Sequence, residues 1–365
     1  TAIFLYGYGW MLTWIGPRRT LLITSLFSSS MMVCCYFALQ RGIGPAAVAA
    51  YALREAYIVI VIEQYWSLIN STLREGQAKV FNGPITGVGS LGAIAGGLMV
   101  GRLAKPMGTN TLLLFAAASL LPAAICSELS YNPRNEPTPS EKEHGRKSLA
   151  LSLFVESSYL RRIGLLIVLT QVISTVLDLR LFGLVEQSFP VKDARTAYIG
   201  NFYAILNASA FVLQFIAAPL LLSFVSLRFI HPAIPVVHIA AAIALTFRPS
   251  LFTGGLAYLL FKALDYSVFR AGKEIFYIPL SFDSRYRAKE VIDSFGYRAS
   301  KGGAAGFASL LVMIFQMMSR GVPGAIYPSA ALASALGWLR TVRKLVRQHD
   351  DILRQPSMSP EGREV

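Results

Sequence analysis

Residues 162–184 read RIGLLIVLTQVISTVLDLRLFGL, and this run decides the fold. From Ile163 to Leu177 no side chain is charged. At about 1.5 Å of rise per residue the whole run spans a hydrocarbon core as one helix. It is several times longer than a buried strand, which occupies roughly four to eight residues. It also lacks the apolar–polar alternation of a membrane barrel strand, so a helix is the spanning solution that remains.

Working outward, the same texture recurs on both sides. Just before the run, residues 130–161 form the longest polar stretch of the 365-residue chain. They are rich in Pro, Glu, Lys, Arg and Ser, as in Asn135-Glu136-Pro137-Thr138-Pro139-Ser140-Glu141-Lys142, which is linker composition. Upstream lie five apolar segments at 1–16, 20–39, 45–71, 83–102 and 110–128. Downstream of 162–184 lie five more, at 196–224, 229–247, 252–281, 302–319 and 323–340. The composition agrees: 54% of residues are hydrophobic and 15% charged, against about 25% charged in soluble domains.

Eleven segments, five before a linker and six after it, are one short of two six-helix halves. The expected fold is an all-α membrane protein of the major-facilitator-like, two-bundle transporter type, with eleven transmembrane helices visible and the first of twelve preceding Thr1. The expected parts are an N-terminal helical bundle over 1–129, a cytoplasmic linker over 130–161, a C-terminal six-helix bundle over 162–341, and a basic cytoplasmic tail over 342–365. No signal peptide is visible.

Charge supports that segmentation. The chain has 34 Lys and Arg against 20 Asp and Glu, a net charge of +14. With the Arg18-Arg19 loop placed inside and the segments alternating from there, 22 of the 34 cations fall on the inner side and seven on the outer. Such asymmetry is the mark of cytoplasmic loops, and it puts both termini in the cytoplasm. In this setting the basic excess faces anionic lipid rather than nucleic acid. The location expected is an integral protein of a bacterial inner membrane.

Ten ionisable residues fall within the spans: Arg54, Glu55, Glu63, Asp178, Arg180, Lys262, Asp265, Arg270, Lys273 and Glu274. Each costs about 2.5–3.5 kcal/mol at a helix centre, so they must face the bundle interior or water. Lys262 with Asp265 and Arg270 with Glu274 have the spacing of same-helix pairs. Glu63, Asp178 and Lys273 have no such partner, which marks them as candidates for a solute or coupling site.

Other signals lead away from catalysis. Gly87-Val88-Gly89-Ser90-Leu91-Gly92 spells a dinucleotide fingerprint but lies inside an apolar span without a preceding strand. Gly92/Gly96 and Gly97/Gly101 have the spacing of close helix packing. Cys34, Cys35 and Cys126 make no metal or redox spacing and read as packing residues. His231 and His238 lie seven apart on one helix as core residues. No phosphate-cradling loop, zinc motif or nucleophile elbow occurs, so no enzyme activity, cofactor or metal is expected.

Three stretches together resemble the ATP/ADP translocases of plastids and bacteria. Glu63-Gln64-Tyr65-Trp66, followed by Gly76-Gln77-Ala78-Lys79-Val80-Phe81, resembles that family's Glu-Leu-Trp and Glu-Ala-Lys-x-Phe signatures. Ile173 to Pro190, with Asp178 and the closing Gln187-Ser188-Phe189-Pro190, is similar to a segment carrying Glu before Gln-Phe-Pro; Tyr198-Ile199-Gly200-Asn201-Phe202 follows it. The stretch from Tyr266 to Leu280, YSVFRAGKEIFYIPL, resembles the family's Tyr-Ser-Leu-Phe-Asp-Pro-Thr-Lys-Glu-Met-Ala-Tyr-Ile-Pro-Leu. The loop from Ala288-Lys289 through Ile292-Asp293 to Lys301-Gly302-Gly303 continues the likeness.

The resemblance implies exchange of ATP for ADP, or of other nucleotides, by alternating access. It also implies a functional set of two lysines and two glutamates. Three of these carry over as Glu63, Asp178 (shortened from Glu) and Lys273. The fourth, a lysine, aligns near Met11, where there is none, and the family's Asp-Pro is replaced by Arg270-Ala271. Arg270, Arg54 and Arg180 are candidate helper cations for a polyanion. The alternatives are a transporter of another organic anion on the same fold, or a non-transporting membrane scaffold or sensor. The partners expected are a small-molecule anion, ATP/ADP or another nucleotide, and the lipid bilayer, with no nucleic acid.

Overall fold

A computed structural model describes residues 2–72, 75–130, 157–277, 292, 296–318 and 323–354, and every regular element among them is helical. In chain order the helices are α1 (Ala2–Gln40), α2 (Pro45–Thr72), α3 (Glu75–Met107), α4 (Leu112–Ser130) and α5 (Ser158–Ser188). There follow α6 (Lys192–Val212), a π-helical turn (Leu213–Ala217) and α7 (Ala218–Phe224), which form one continuous rod. Next come α8 (Leu227–Phe247), then α9 (Leu251–Leu264), a second π turn (Asp265–Phe269) and α10 (Arg270–Ile275), again one rod. The last two are α11 (Tyr297–Met317) and α12 (Ile326–Arg354).

Local chemistry sets several of the ends. Gly42 (φ 79°) and Gly108 (φ 80°) follow α1 and α3 in the left-handed region, which a residue with a Cβ enters only at a cost. Ser157 caps α5 by accepting from Leu160 N, and Pro190 bars continuation just past the other end. Ser250 and Thr253 close a reciprocal capping box at the start of α9.

Two departures from the sequence-based expectation concern helix extent. The break expected at Arg18-Arg19 is absent: α1 runs unbroken through Gly16-Pro17, so 1–16 and 20–39 are parts of one rod. A loop is not needed to shelter the cation, because Arg18 is bound by Glu128 of α4 at 2.6 Å. At the other end α12 continues to Arg354 rather than stopping near 340. Val342, Leu345, Val346 and His349 are buried on it, so the segment expected as a tail is packed helix that far.

The chain divides into two compact units: residues 1–147 with 191–204, and residues 148–190 with 205–365. In the first, α1 packs on α2 and α4 around Met32, Leu53 and Ala117. Ser29 Oγ donates to Ala117 O at 3.0 Å, which satisfies a hydroxyl that lipid could not. The start of α6 crosses α3 at glycines: a Cβ on Gly97 would stand 2.9 Å from Gly200 O, and one on Gly200 2.5 Å from Gly101 N. By contrast, a Cβ on Gly92 or Gly96 would meet nothing within 4 Å among the described residues, where the Gly97/Gly101 pair serves close packing. The turn after α3 is tied to the same helix by Thr109, whose N and Oγ1 donate to Asp193 Oδ1 at 2.8 and 2.6 Å.

In the second unit α12 packs against α5 and α8, while α9 and α11 pack on α5. Trp338 is fully buried at its centre, with ring centres 5.3 Å from His238 and 5.0 Å from Phe269. His231 stacks on Phe276 at 4.5 Å, so both histidines are aromatic packing residues. Among the described residues five helical stretches are long and apolar enough to cross a bilayer: 18–40, 45–62, 158–188, 192–224 and 227–247. Large apolar side chains such as Phe27, Phe37, Ile205 and Phe247 lie on the exposed surface, as a lipid-solvated protein requires.

Candidate functional site

Lys262, Asp265, Arg270, Lys273 and Glu274 of the second unit lie on or beside the π turn Asp265–Phe269. A π turn widens the helix by one residue and so resets the faces of everything after it. Ser267 Oγ donates to Ala263 O inside the widened turn, filling a carbonyl that regular pairing would otherwise serve. The earlier π turn, Leu213–Ala217, packs directly against it. Arg270, Lys273 and Glu274 follow on α10.

These residues wall a small cavity of about 230 Å³. Asp265, Phe269, Arg270, Lys273 and Glu274 contribute from the α9–α10 rod, Ile167, Thr170 and Gln171 from α5, and Tyr297 from α11. Two cations and two carboxylates face one space, so the wall is balanced in formal charge. Lys273 is only 8% exposed, and its Nζ lies 3.8 Å from Glu274 Oε1 and 5.9 Å from the Tyr277 ring. Arg270 rests over Tyr266 at 5.6 Å. Asp265, also 8% exposed, lies within the fields of Lys262, Arg270 and Lys273. Burying such charges is costly unless each has company, and here they have it in one another and in aromatic faces.

Lys262, one turn before the π turn, is held differently. Its ammonium lies 5.2 Å from the Tyr266 ring and 5.8 Å from the rings of Tyr258 and Phe261. The aromatic quadrupoles replace part of the lost hydration.

Of the six candidate residues, the structure brings Lys273 and Arg270 into this cavity. Lys273 has a close neighbour after all, Glu274, which the spacing had assigned to Arg270. Asp178 on α5 lies outside the cavity wall but within electrostatic reach of Tyr266. Arg180 sits against the backbone of Gly324 before α12, where a methyl would come within 2.9 Å of its guanidinium. Arg54 belongs to the first unit, exposed, paired with Glu55 and 5.2 Å from the Tyr51 ring. Glu63 is carried by α2, but its side chain lies outside the described residues.

Sequence reasoning missed Thr170, Gln171 and Tyr297. Gln171 is 1% exposed, and its Oε1 accepts no hydrogen bond among the described residues, so it brings an unfilled acceptor to the cavity wall. The available signal was an amide in the middle of a 23-residue apolar run, seven residues and two turns from Asp178 on the same helix face.

The arrangement suits a hydrated anion that takes cations already held by carboxylates. The profile of the TLC ATP/ADP transporter family matches residues 120–349. The chain is 22% identical to the chloroplastic ADP,ATP carrier proteins 1 and 2 of Arabidopsis thaliana, over 88% of its length and 58% and 59% of theirs. ADP,ATP carrier protein 1 of Rickettsia prowazekii is 24% identical over 55% of this chain and 44% of its own. The chain thus spans about three-fifths of the length of its plant relatives. Among solved structures, the E. coli fucose:proton symporter matches with a TM-score of 0.54 at 15% identity, over 94% of this chain and 86% of that one. A likeness at that identity concerns the fold alone.

Proposed function

The chain belongs to the TLC ATP/ADP transporter family, and from that membership we propose that it exchanges nucleotides, ATP against ADP, across a membrane by alternating access. The family is one of integral membrane carriers rather than enzymes. The single observation that carries the proposal is the pairing of Lys273 with Glu274 beside Arg270 around one cavity.

In the substrate-free carrier Glu274 and Asp265 keep the two cations compensated. An incoming phosphate chain takes over Lys273 and Arg270 as hydrogen-bonded ligands, and the carboxylates are released toward water. Because the substrate gains only the difference between two ion pairings, binding stays weak enough to allow release on the far side. Gln171 and Tyr297 supply neutral donors and acceptors that orient without adding charge. The proposal extends to sidedness: a bacterial cell membrane with the basic faces and both termini in the cytoplasm.

Uptake of labelled ATP into ADP-loaded proteoliposomes tests it. Lys273→Ala is expected to lower exchange about tenfold or more; unchanged exchange removes Lys273 from the site. One observation favours a second substrate class. The position near Met11 has no lysine, which leaves one fewer fixed cation for a triphosphate. Transport of a smaller organic anion in preference to ATP, in the same vesicles, would decide for that class.

A further inference from the structure

The second unit carries another, larger opening, remote in sequence from the cavity walls and sharing no residue with them. It is an open groove of about 850 Å³ between the first half of α8 and the last third of α12. One wall is basic. Arg343, Arg347 and Arg354 are spaced by four and seven residues, which places their guanidiniums along one face of α12, and all three are exposed. The other wall is apolar. Phe229, Pro232, Val236 and Val237 line it from α8, with Phe229 67% and Val236 48% exposed.

We propose that this groove holds an anionic phospholipid, its phosphate on the arginines of α12 and an acyl chain along the apolar face of α8. Charge and shape both argue for this occupant. The lining carries four arginines and two aspartates. Arg228 and Asp350 bind each other at 2.9 Å and so bridge the two helices at the polar end. What remains is three guanidiniums against Asp351. The apolar wall belongs to the stretch Leu227–Phe247, which is long and apolar enough to cross a bilayer. With a basic wall facing an apolar one, the groove offers a phosphate and an acyl chain each a matching surface. A free phosphate or nucleotide would satisfy the arginines equally well but leave Phe229, Val236 and Val237 uncovered.

Native mass spectrometry of the purified protein, released from mixed micelles of phosphatidylglycerol and phosphatidylcholine, tests the assignment. The wild type is expected to retain one phosphatidylglycerol about tenfold more than phosphatidylcholine. Arg343→Gln/Arg347→Gln should bring retention down to the phosphatidylcholine level, and Val237→Asp should lower both lipids. Arg102→Gln, an exposed arginine on α3, should change neither. Equal retention of the two lipids, or undiminished phosphatidylglycerol on the double variant, overturns the proposal. So does displacement of the lipid by millimolar inorganic phosphate or ATP, which would make the groove a site for a soluble anion. If the double variant does not elute as a monodisperse species, Arg347→Gln alone is measured: a loss of threefold or more supports the proposal, and unchanged retention overturns it.

Discussion

Lys273 and Glu274 are sequence neighbours, and neighbours on a regular helix point in different directions. They approach to 3.8 Å because both side chains are long enough to bend toward each other. The carboxylate then competes with any anion for the ammonium. Glu274→Gln is therefore expected to lower the KM for nucleotide severalfold while slowing exchange, because the substrate is held too well. A KM that rises instead would show that Glu274 binds substrate directly. His349 offers a second test at this scale. Tyr159 donates to Phe276 O at 2.8 Å, so Nδ1 of His349 must supply the hydrogen in its 2.9 Å bond to the same phenol. Burial pushes the His349 pKa down, partly offset by Asp350. With the folded-state value below the unfolded one, its contribution to stability is complete above about pH 6.5 and fades as the pH falls further. The melting temperature should thus drop more steeply between pH 7.5 and 5.5 in the wild type than in His349→Gln. Parallel curves would count against this role. Lys273 was legible in the sequence because a lysine in an apolar run stands out. Gln171 and Tyr297 were not, since one amide or phenol in a span looks like any other polar residue until its neighbours are known.

Among elements, the helices between Pro45 and Phe247 could be read from hydropathy to within a few residues, because lipid enforces a minimum apolar length, except α3, which starts at Glu75 rather than near residue 83 and runs on to Met107. The ends of the chain were harder. Hydropathy averages over a whole turn, so Arg18-Arg19 looked like a loop although one partner, Glu128, suffices to keep Arg18 within a helix. Beyond residue 340 the same average saw only charge. Yet Val342, Leu345, Val346 and His349 recur at three- and four-residue spacing, the period of a helix with one buried stripe. No residue type marks a π turn, so the two that pack together beside the cavity could not have been foreseen. The glycine crossing of α3 and α6 gives a sharper test. Gly200→Ala must push against the Gly101 backbone and Gly101→Ala against Asn201, so each is expected to destabilise by about 1–3 kcal/mol. Gly92→Ala, open on that side, should be neutral or stabilising by up to about 1 kcal/mol through helix propensity. Thermal unfolding in detergent separates the two cases; equal effects at Gly92 and Gly101 would refute the close crossing.

For the whole molecule, the balance of cations on alternate sides predicts its sidedness. Cysteines introduced at Lys192 and Arg248 should react with an impermeant maleimide applied to intact cells, and cysteines at Arg228 and Arg347 only after the membrane is opened. The reverse pattern would invert the proposed orientation. Apolar length and charge asymmetry were written plainly in the sequence because they answer to the bilayer as a whole. Which helices share a unit was not, because contacts between spans depend on small shape details such as the Gly97–Gly200 approach. That approach has a further consequence. Where two main chains touch, neither a lipid tail nor a file of water molecules fits between them. At Gly97 and Gly200 the α3–α6 seam is therefore closed to both, and a bulky residue there would wedge the two helices apart.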